Sequence, residues 1–362
     1  MNRIVLIGNG FDIAHGLKTS YADFINWYWE QWEKRLMGHS KALEEDELCS
    51  FKMNDIGLGG WYLVKGYRYS IFEKDIINKI KQDKELCEFK YKSPFFEQIN
   101  RSIETKGWAD IENEYYMQLV CVKDVGNGYQ TLNRQLDYLC KRLIEYLREE
   151  SKKDINVIED IRKKIYCPIK RHEIVVSKYL LPENDYFVLS KIMLLNFNYT
   201  ETPQRYIEDS SKATITNIHG QLKYPSSVIF GYGDELDKEY NRLKEQNDNE
   251  CLRYVKAINY LESDNYRKVL EFIESEPFQI CIMGHSCGNS DHTLLNTLFE
   301  HPNCVSIKPY YYINDKRDDN YRELVQNIHR NFTDMKSYRD KVVNKDYCEP
   351  LVGVKPGVIV MG

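Results

Sequence analysis

Paired cysteines are missing from this chain, and that absence removes whole function classes. Its ten cysteines stand singly from Cys49 to Cys348 with no Cys-x-x-Cys spacing, which excludes a zinc ribbon and gives no secreted disulfide framework. They read as reduced, mostly buried thiols. The sequence also lacks a basic n-region or a cleavage site before its first apolar run. Its longest apolar runs, KIMLL and ICIM, are far too short to span a bilayer. These two gaps point to a cytoplasmic protein with no membrane partner. Charge of one sign is not in excess either, since 50 basic and 55 acidic side chains leave a formal net charge of −5. Such a balance gives no overall attraction to a phosphate backbone, so nucleic acid is not an expected partner. No internal repeat and no low-complexity segment is present.

What is there suits a large folded core. The 362 residues are 42% hydrophobic, enough for one large or two ordinary domains. Residues 3–8 (RIVLIG) form a β-branched run ended by glycine, the pattern of a buried strand followed by a tight turn. Comparable runs return only at 192–197 (IMLLNF), 214–218 (TITNI), 227–231 (SVIFG), 279–284 (QICIMG) and 304–313 (CVSIKPYYYI). Each is apolar on both faces, as a parallel sheet covered on two sides requires. Between Thr19 and about Ser190 the pattern is helical. Ser20 and Asp23 suit a capping box, and Leu132, Leu136, Leu139, Leu143 and Leu147 keep a helical period.

The expected fold is therefore α/β, a Rossmann-like, mostly parallel sheet with a large helical insertion or cap. Residues 1–18 and 190–315 form the core, with a charged helical excursion at 234–275. Residues 19–189 form the insertion, and 316–362 a C-terminal helix (YRELVQNIHRNF) and tail. The 28 tyrosines read as wall elements with one wet end rather than ligand platforms.

Ligands of open parallel sheets bind beyond the carboxyl ends of the strands, and here those ends are polar. The first ends in Gly8-Asn9-Gly10-Phe11-Asp12, the second in Asn196-Phe197-Asn198-Tyr199-Thr200, a third in Asn217-Ile218-His219-Gly220. A fourth polar end is Gly284-His285-Ser286-Cys287-Gly288-Asn289-Ser290-Asp291. The simplest expectation is one shared crevice. The Gly8/Gly10 pair suits close approach of a phosphate or ribose, but Ile13 stands where the dinucleotide fingerprint has its third glycine. No second strand with an acidic residue follows about twenty residues on, so an ordinary hydride-transfer dehydrogenase is not the expected reading. Asp12 suits ribose hydroxyls or a helix cap.

His219 is the candidate general base, because a neutral imidazole can take a proton from a hydroxyl or a water. Asn198, which is both donor and acceptor without charge, suits holding a ribose hydroxyl or a water. GHSCG fits the G-x-S-x-G nucleophile elbow, yet Asn289, Ser290 and Asp291 separate Ser286 from the next helix, and the late His329 falls inside a helical pattern. The segment reads better as a ligand loop in which backbone N–H groups and Ser286 meet phosphate or ribose and Asp291 holds the loop.

Weaker features have local explanations. Asp110 after Trp108-Ala109 reads as a helix N-cap, with Glu114 on the same face. Arg162, Lys163, Lys164, Lys170, Arg171 and His172 read as a helix C-terminus favoured by its dipole. No cysteine or histidine spacing suits a metal.

The segments LIGNGFDIAHGLKTSYADF, WADIE, LNFNYT, IHG and GHSCGNSD, in this order, resemble the bacterial AbiH family, associated with abortive infection after phage attack. The set N-Y-T, H-G and G-H-S…D is also similar to strand ends of the sirtuin-like superfamily, whose members bind NAD and, in antiphage branches, hydrolyse it. This resemblance implies NAD as substrate or ligand, with Asn198 beside the nicotinamide ribose and His219 as the catalytic histidine. Gly8, Asn9, Gly10, Asp12, Thr200, Gly284, His285, Ser286 and Asp291 would then line the remainder of the nucleotide. Two departures stand out: the paired zinc cysteines of sirtuin deacylases are absent, and the turn reads GNGFD rather than Gly-Ala-Gly-x-Ser.

Three functions follow in order. The first is an NAD-consuming effector answering a phage-derived trigger, with cleavage through an oxocarbenium-like state. The second is a non-catalytic nucleotide sensor, and the third a serine hydrolase using Ser286. A homo-oligomer is compatible with each.

Overall fold

The computed structural model describes residues 1–38, 43–53, 87–106, 110–122, 127–175, 185–233 and 238–353. Trp108 and Ala109, residues 234–237 of the expected excursion and 354–362 of the expected tail lie outside the described residues. The chain divides into two compact units, one made of Met1–Lys18, Leu147–Arg242 and Tyr254–Gly362, the other of Thr19–Tyr146 and Leu243–Arg253.

The first unit is built on a five-stranded sheet, every pair parallel: β1 (Asn2–Ile7), β2 (Ile192–Asn196), β3 (Ala213–Asn217), β4 (Phe278–Met283) and β5 (Cys304–Tyr310). Their spatial order is β5-β4-β1-β2-β3. The chain adds β2 and β3 on one side of β1 and then returns to add β4 and β5 on the other, so the order reverses between β1 and β4.

Alternation along each strand feeds two cores. Ile4, Leu6, Leu195, Ile280, Ile282 and Ile307 face one side, where α3 (Asn265–Ser275), α4 (His292–Glu300) and α5 (Tyr321–Arg330) pack through Val269, Ile273, Leu298 and Ile328. Val5, Ile7, Leu194, Cys281 and Met283 face the other, against Phe11 of α1 (Asn9–Ala14) and Ile161 and Ile165 of α2 (Glu159–Tyr166). Burial on both faces is what a parallel sheet sandwiched by helices demands.

The opposite end of the sheet carries a buried polar network. Arg3, 1% exposed, donates to Gln279 Oε1 and to the carbonyls of Lys164, Ile165 and Cys167. Its guanidinium thus caps the C-terminus of α2, where carbonyls lack helical partners and the dipole favours a cation. Gln279 Nε2 passes the chain of bonds to Glu173, which pairs with Lys308 at 2.7 Å.

The second unit is mixed rather than wholly helical. Helices Tyr21–Gly38, Pro94–Lys106, Ile111–Cys121 and, as far as Tyr146, Gly128–Glu150 accompany an antiparallel sheet of Leu43–Glu45, Cys49–Met53 and Cys87–Tyr91. The sheet corrects the helical expectation for 19–189. Along the middle strand Cys49 and Phe51 are buried while Lys52 is exposed, a period of two hidden among charged residues. Asp110 caps its helix by accepting from the Asn113 amide, as its sequence position indicates.

A second correction concerns 227–231, expected as a strand. Only the short turn of helix Pro225–Ser227 forms there. The Ile229 amide donates to the His219 carbonyl, and a Cβ on Gly231 would fall 2.0 Å from the Tyr254 carbonyl oxygen. Ile229 joins the core on one face of the sheet, and Phe230 is buried as well. No helix among the described residues is long and apolar enough to cross a membrane.

Replacing Arg3 with Leu strands four acceptors in the core, so it is expected to cost about 2–4 kcal/mol in urea unfolding, given the penalty for buried unpaired polar groups. Lys191→Ala, at an exposed neighbouring position, should stay within about 0.5 kcal/mol. Equal effects would contradict the capping role.

Candidate functional site

Register decides where the motifs emerge. Ile7 lies opposite Asn196 and Met283, and Asn196 lies opposite Asn217, so four strands end on one level. The turns 8–12, 197–200, 218–220 and 284–291 therefore leave the sheet side by side. Backbone bonds carry the pairing past the strands: Phe197 N donates to Ile7 O, Ile218 N to Asn196 O, and Gly10 N to Gly284 O.

The glycines at this rim are required by contact between backbones. A Cβ on Gly8 would lie 2.6 Å from His285 Cα, and one on Gly10 would lie 2.9 Å from Gly284 Cα. Gly284 itself has φ +77°, and its Cβ would fall 2.1 Å from Phe11 N. The turns after β1 and β4 press together at the point where the strand order reverses. Asn9 stands exposed on the outer side of that contact.

Amides and hydroxyls stitch β1 to β2. Asn196 Nδ2 donates to Thr200 O and Asn217 Oδ1, while Asn196 Oδ1 accepts from the Asn198 amide. Asn198 Nδ2 donates to Gly8 O at 3.0 Å. Thr200 Oγ1 donates to Asp12 Oδ2 at 2.6 Å. Asp12 is 1% exposed, and its other oxygen, Oδ1, is buried without a hydrogen-bond partner. Burial pushes the Asp12 carboxyl up to about 6, against the opposing influence of Thr200, Thr202 and Asn198.

A second carboxylate organises β3 and β4. Asp291 Oδ1 lies 2.9 Å from Lys256 Nζ and 3.1 Å from His219 Nε2, and Oδ2 lies 3.5 Å from His285 Nε2. Burial alone would raise this carboxyl, but Lys256, His219 and His285 hold it well below the usual carboxylate range. Of the three, Lys256 Nζ lies nearest the carboxylate. His285 Nδ1 accepts from the Cys287 amide at 3.0 Å, which puts the ring's proton on Nε2, facing Asp291.

His219 is enclosed. Its Nδ1 lies 3.2 Å from Phe197 O and its Nε2 3.1 Å from Tyr260 Oη. Burial and the facing Lys256 push its imidazole down despite Asp291. Phe197 wedges between the two histidines, its ring centroid 5.3 Å from His219 and 4.2 Å from His285. Asn198 and His219 thus share one rim and are joined through Phe197 rather than to each other.

Lys256 and Tyr260 are the members that sequence reasoning missed. Lys256 sits in a charged stretch where a lysine reads as solvated, yet it is 1% exposed. Nothing in KAIN signals its partner, which lies 35 residues later.

Ser286 stands apart from this cluster. It is exposed, its carbonyl accepts from Asn327 Nδ2, and the neighbouring His285 ring is turned to Cys287 and Asp291. Cys287, rather than Ser286, takes a left-handed conformation at φ 55°, and its thiol is buried, with burial pushing it up. Asp291 precedes α4 but makes no cap bond to it, its carboxylate being committed to the cluster.

A family model described as "Bacteriophage abortive infection AbiH" matches residues 4–313, a span that includes every turn of this rim. No curated protein matches the chain.

The buried Asp12 carboxyl gives a pH-dependent expectation. A carboxyl raised from 3.8 to about 6 on folding destabilises its ionised form, so the penalty is absent below about pH 3.8 and complete above about pH 6. Asp12→Asn should therefore stabilise the chain by up to about 3 kcal/mol at pH 7.5 and give no gain at pH 4, in paired urea titrations. Destabilisation of equal size at both pH values would contradict the burial argument.

Proposed function

This chain belongs to the AbiH family, and we propose that it is an abortive-infection effector whose strand-end crevice binds NAD and hydrolyses it at the nicotinamide–ribose bond. The observation carrying this reading is the common level of the ends of β1, β2, β3 and β4, which gathers the polar turns at the reversal of strand order. Numbered along the chain the sheet runs 3-2-1-4-5, the order of doubly wound nucleotide-binding folds, whose ligands sit beyond the carboxyl ends at that reversal. The likeness to sirtuin-like strand ends supports the same ligand.

The residues suit a ribose-bearing molecule. Asp12 Oδ1 lacks the donor that a sugar hydroxyl or a water would supply. Exposed Asn9, in the same short helix as Asp12, offers a further polar contact. Asn198 and His219 are the pair assigned to the nicotinamide ribose by resemblance. In this reading a phage-derived protein triggers turnover, and depletion of NAD halts the infected cell.

One observation favours a second reading, a nucleotide sensor without turnover. Both ring nitrogens of His219 and the amide of Asn198 are already engaged within the fold.

Incubating the purified chain with NAD, with and without phage lysate, should release nicotinamide and ADP-ribose in equal amounts. Asn198→Ala should abolish release and lower the melting temperature by several degrees, because the Gly8 carbonyl loses its donor. Calorimetric binding with no product over hours selects the sensor. Neither binding nor release under any trigger would remove both readings.

A further inference from the structure

We propose that Asp12 is the catalytic proton acceptor of this site, its Oδ1 receiving a proton from the water that displaces nicotinamide. This inference rests on the NAD-hydrolysis reading and departs from it in one respect, because the resemblance gives that role to His219.

Elimination among the rim's titratable groups leads to Asp12. His219 turns one nitrogen to the Phe197 carbonyl and the other to Tyr260 Oη and Asp291. It has no lone pair free for a water. His285 spends its Nδ1 lone pair on the Cys287 amide and aims its Nε2 proton at Asp291. Asp291 is saturated by three partners and held ionised far from neutrality. Lys256 is bound to that carboxylate at 2.9 Å. Asn198 is a neutral amide and too weakly basic to take a proton from water.

Asp12 alone in this group keeps unfilled capacity. Thr200 occupies Oδ2 and fixes the carboxyl's orientation, while Oδ1 is buried with no partner. Buried polar atoms are nearly always bonded, so an oxygen left in this state marks a place for a water or a ligand. Its neighbour across the strand ends is Asn198, whose amide is anchored on Gly8 O. The two carboxyls of one rim are also driven in opposite directions, Asp12 up and Asp291 down, a separation that marks acid–base assignments in other enzymes.

The step balances without a further reactant. One O–H bond of the water breaks as its proton passes to Asp12 Oδ1, and the water oxygen forms the new bond to the ribose C1′. The C1′–N bond breaks with its electron pair going to the pyridinium nitrogen, which becomes neutral nicotinamide. Asp12 then returns one proton to solvent. His219 acts as a positioning residue that fixes Phe197 and shares Asp291 with His285.

The test compares wild-type chain and Asp12→Asn for nicotinamide release between pH 5 and 8, with and without phage lysate. Asp12→Asn should lower kcat on the order of 10²–10⁴-fold, the usual contribution of a general base, with KM within about threefold. The wild-type kcat/KM should rise with pH through about 6, and the variant should lose that rise. A melting temperature no lower than wild type excludes misfolding as the cause. A variant that keeps wild-type kcat and the acid limb overturns the assignment of Asp12 while NAD hydrolysis stands. A wild-type chain that releases no nicotinamide under any condition overturns the hydrolysis reading, and this inference falls with it.

Discussion

The C-terminal rim of the sheet depends on one ionised carboxylate, that of Asp291. It lies within reach of an ammonium and two imidazoles that come from the turn after β3, the turn after β4 and the segment at 256. Taking such charges out of water is expensive, and their mutual attraction repays the cost only when all are present and well oriented. Loops beyond a sheet edge have few other reasons to adopt one arrangement. Here Asp291 gives them one, and Phe197, seated between His219 and His285, transmits it to β2.

The opposite treatment of Asp12 shows how one rim makes two kinds of carboxyl. Asp291 is surrounded by donors and cations and stays charged. Asp12 is buried, accepts from the Thr200 hydroxyl and has no cation partner among the described residues, so burial outweighs the polar groups around it. One group holds the structure together. The other retains the chemistry that the fold has not consumed.

Much of this was legible in the residues, and the exceptions have physical causes. The runs that became β1 to β5 are mostly apolar, and those of β1 to β4 meet glycine or asparagine at their ends, so their strand character and polar ends could be read directly. The run at 227–231 looks the same but forms no strand, the Ile229 amide donating to the His219 carbonyl instead of to a neighbouring strand. Cys49–Met53 was hidden by lysine and serine on its outer face. Gly8 and Gly10 were read as room for a ligand, whereas the turn after β4 fills the space beside them. Lys256 was illegible because burial of a lysine is decided by a partner distant in sequence. Asp291, read as the residue holding its loop, lies within reach of Lys256, His219 and His285.

The claim that Asp291 and its buried cation organise the rim is tested most directly by a double-mutant cycle on Lys256 and Asp291, using Lys256→Met and Asp291→Asn and unfolding free energies at pH 7. Each single change should be strongly destabilising, because each leaves a buried charge without its partner. The double variant should recover at least about 2 kcal/mol relative to the sum of the two, as contacting charges do. Additivity within about 0.5 kcal/mol would mean that the two groups act independently, and the account of the rim would be wrong.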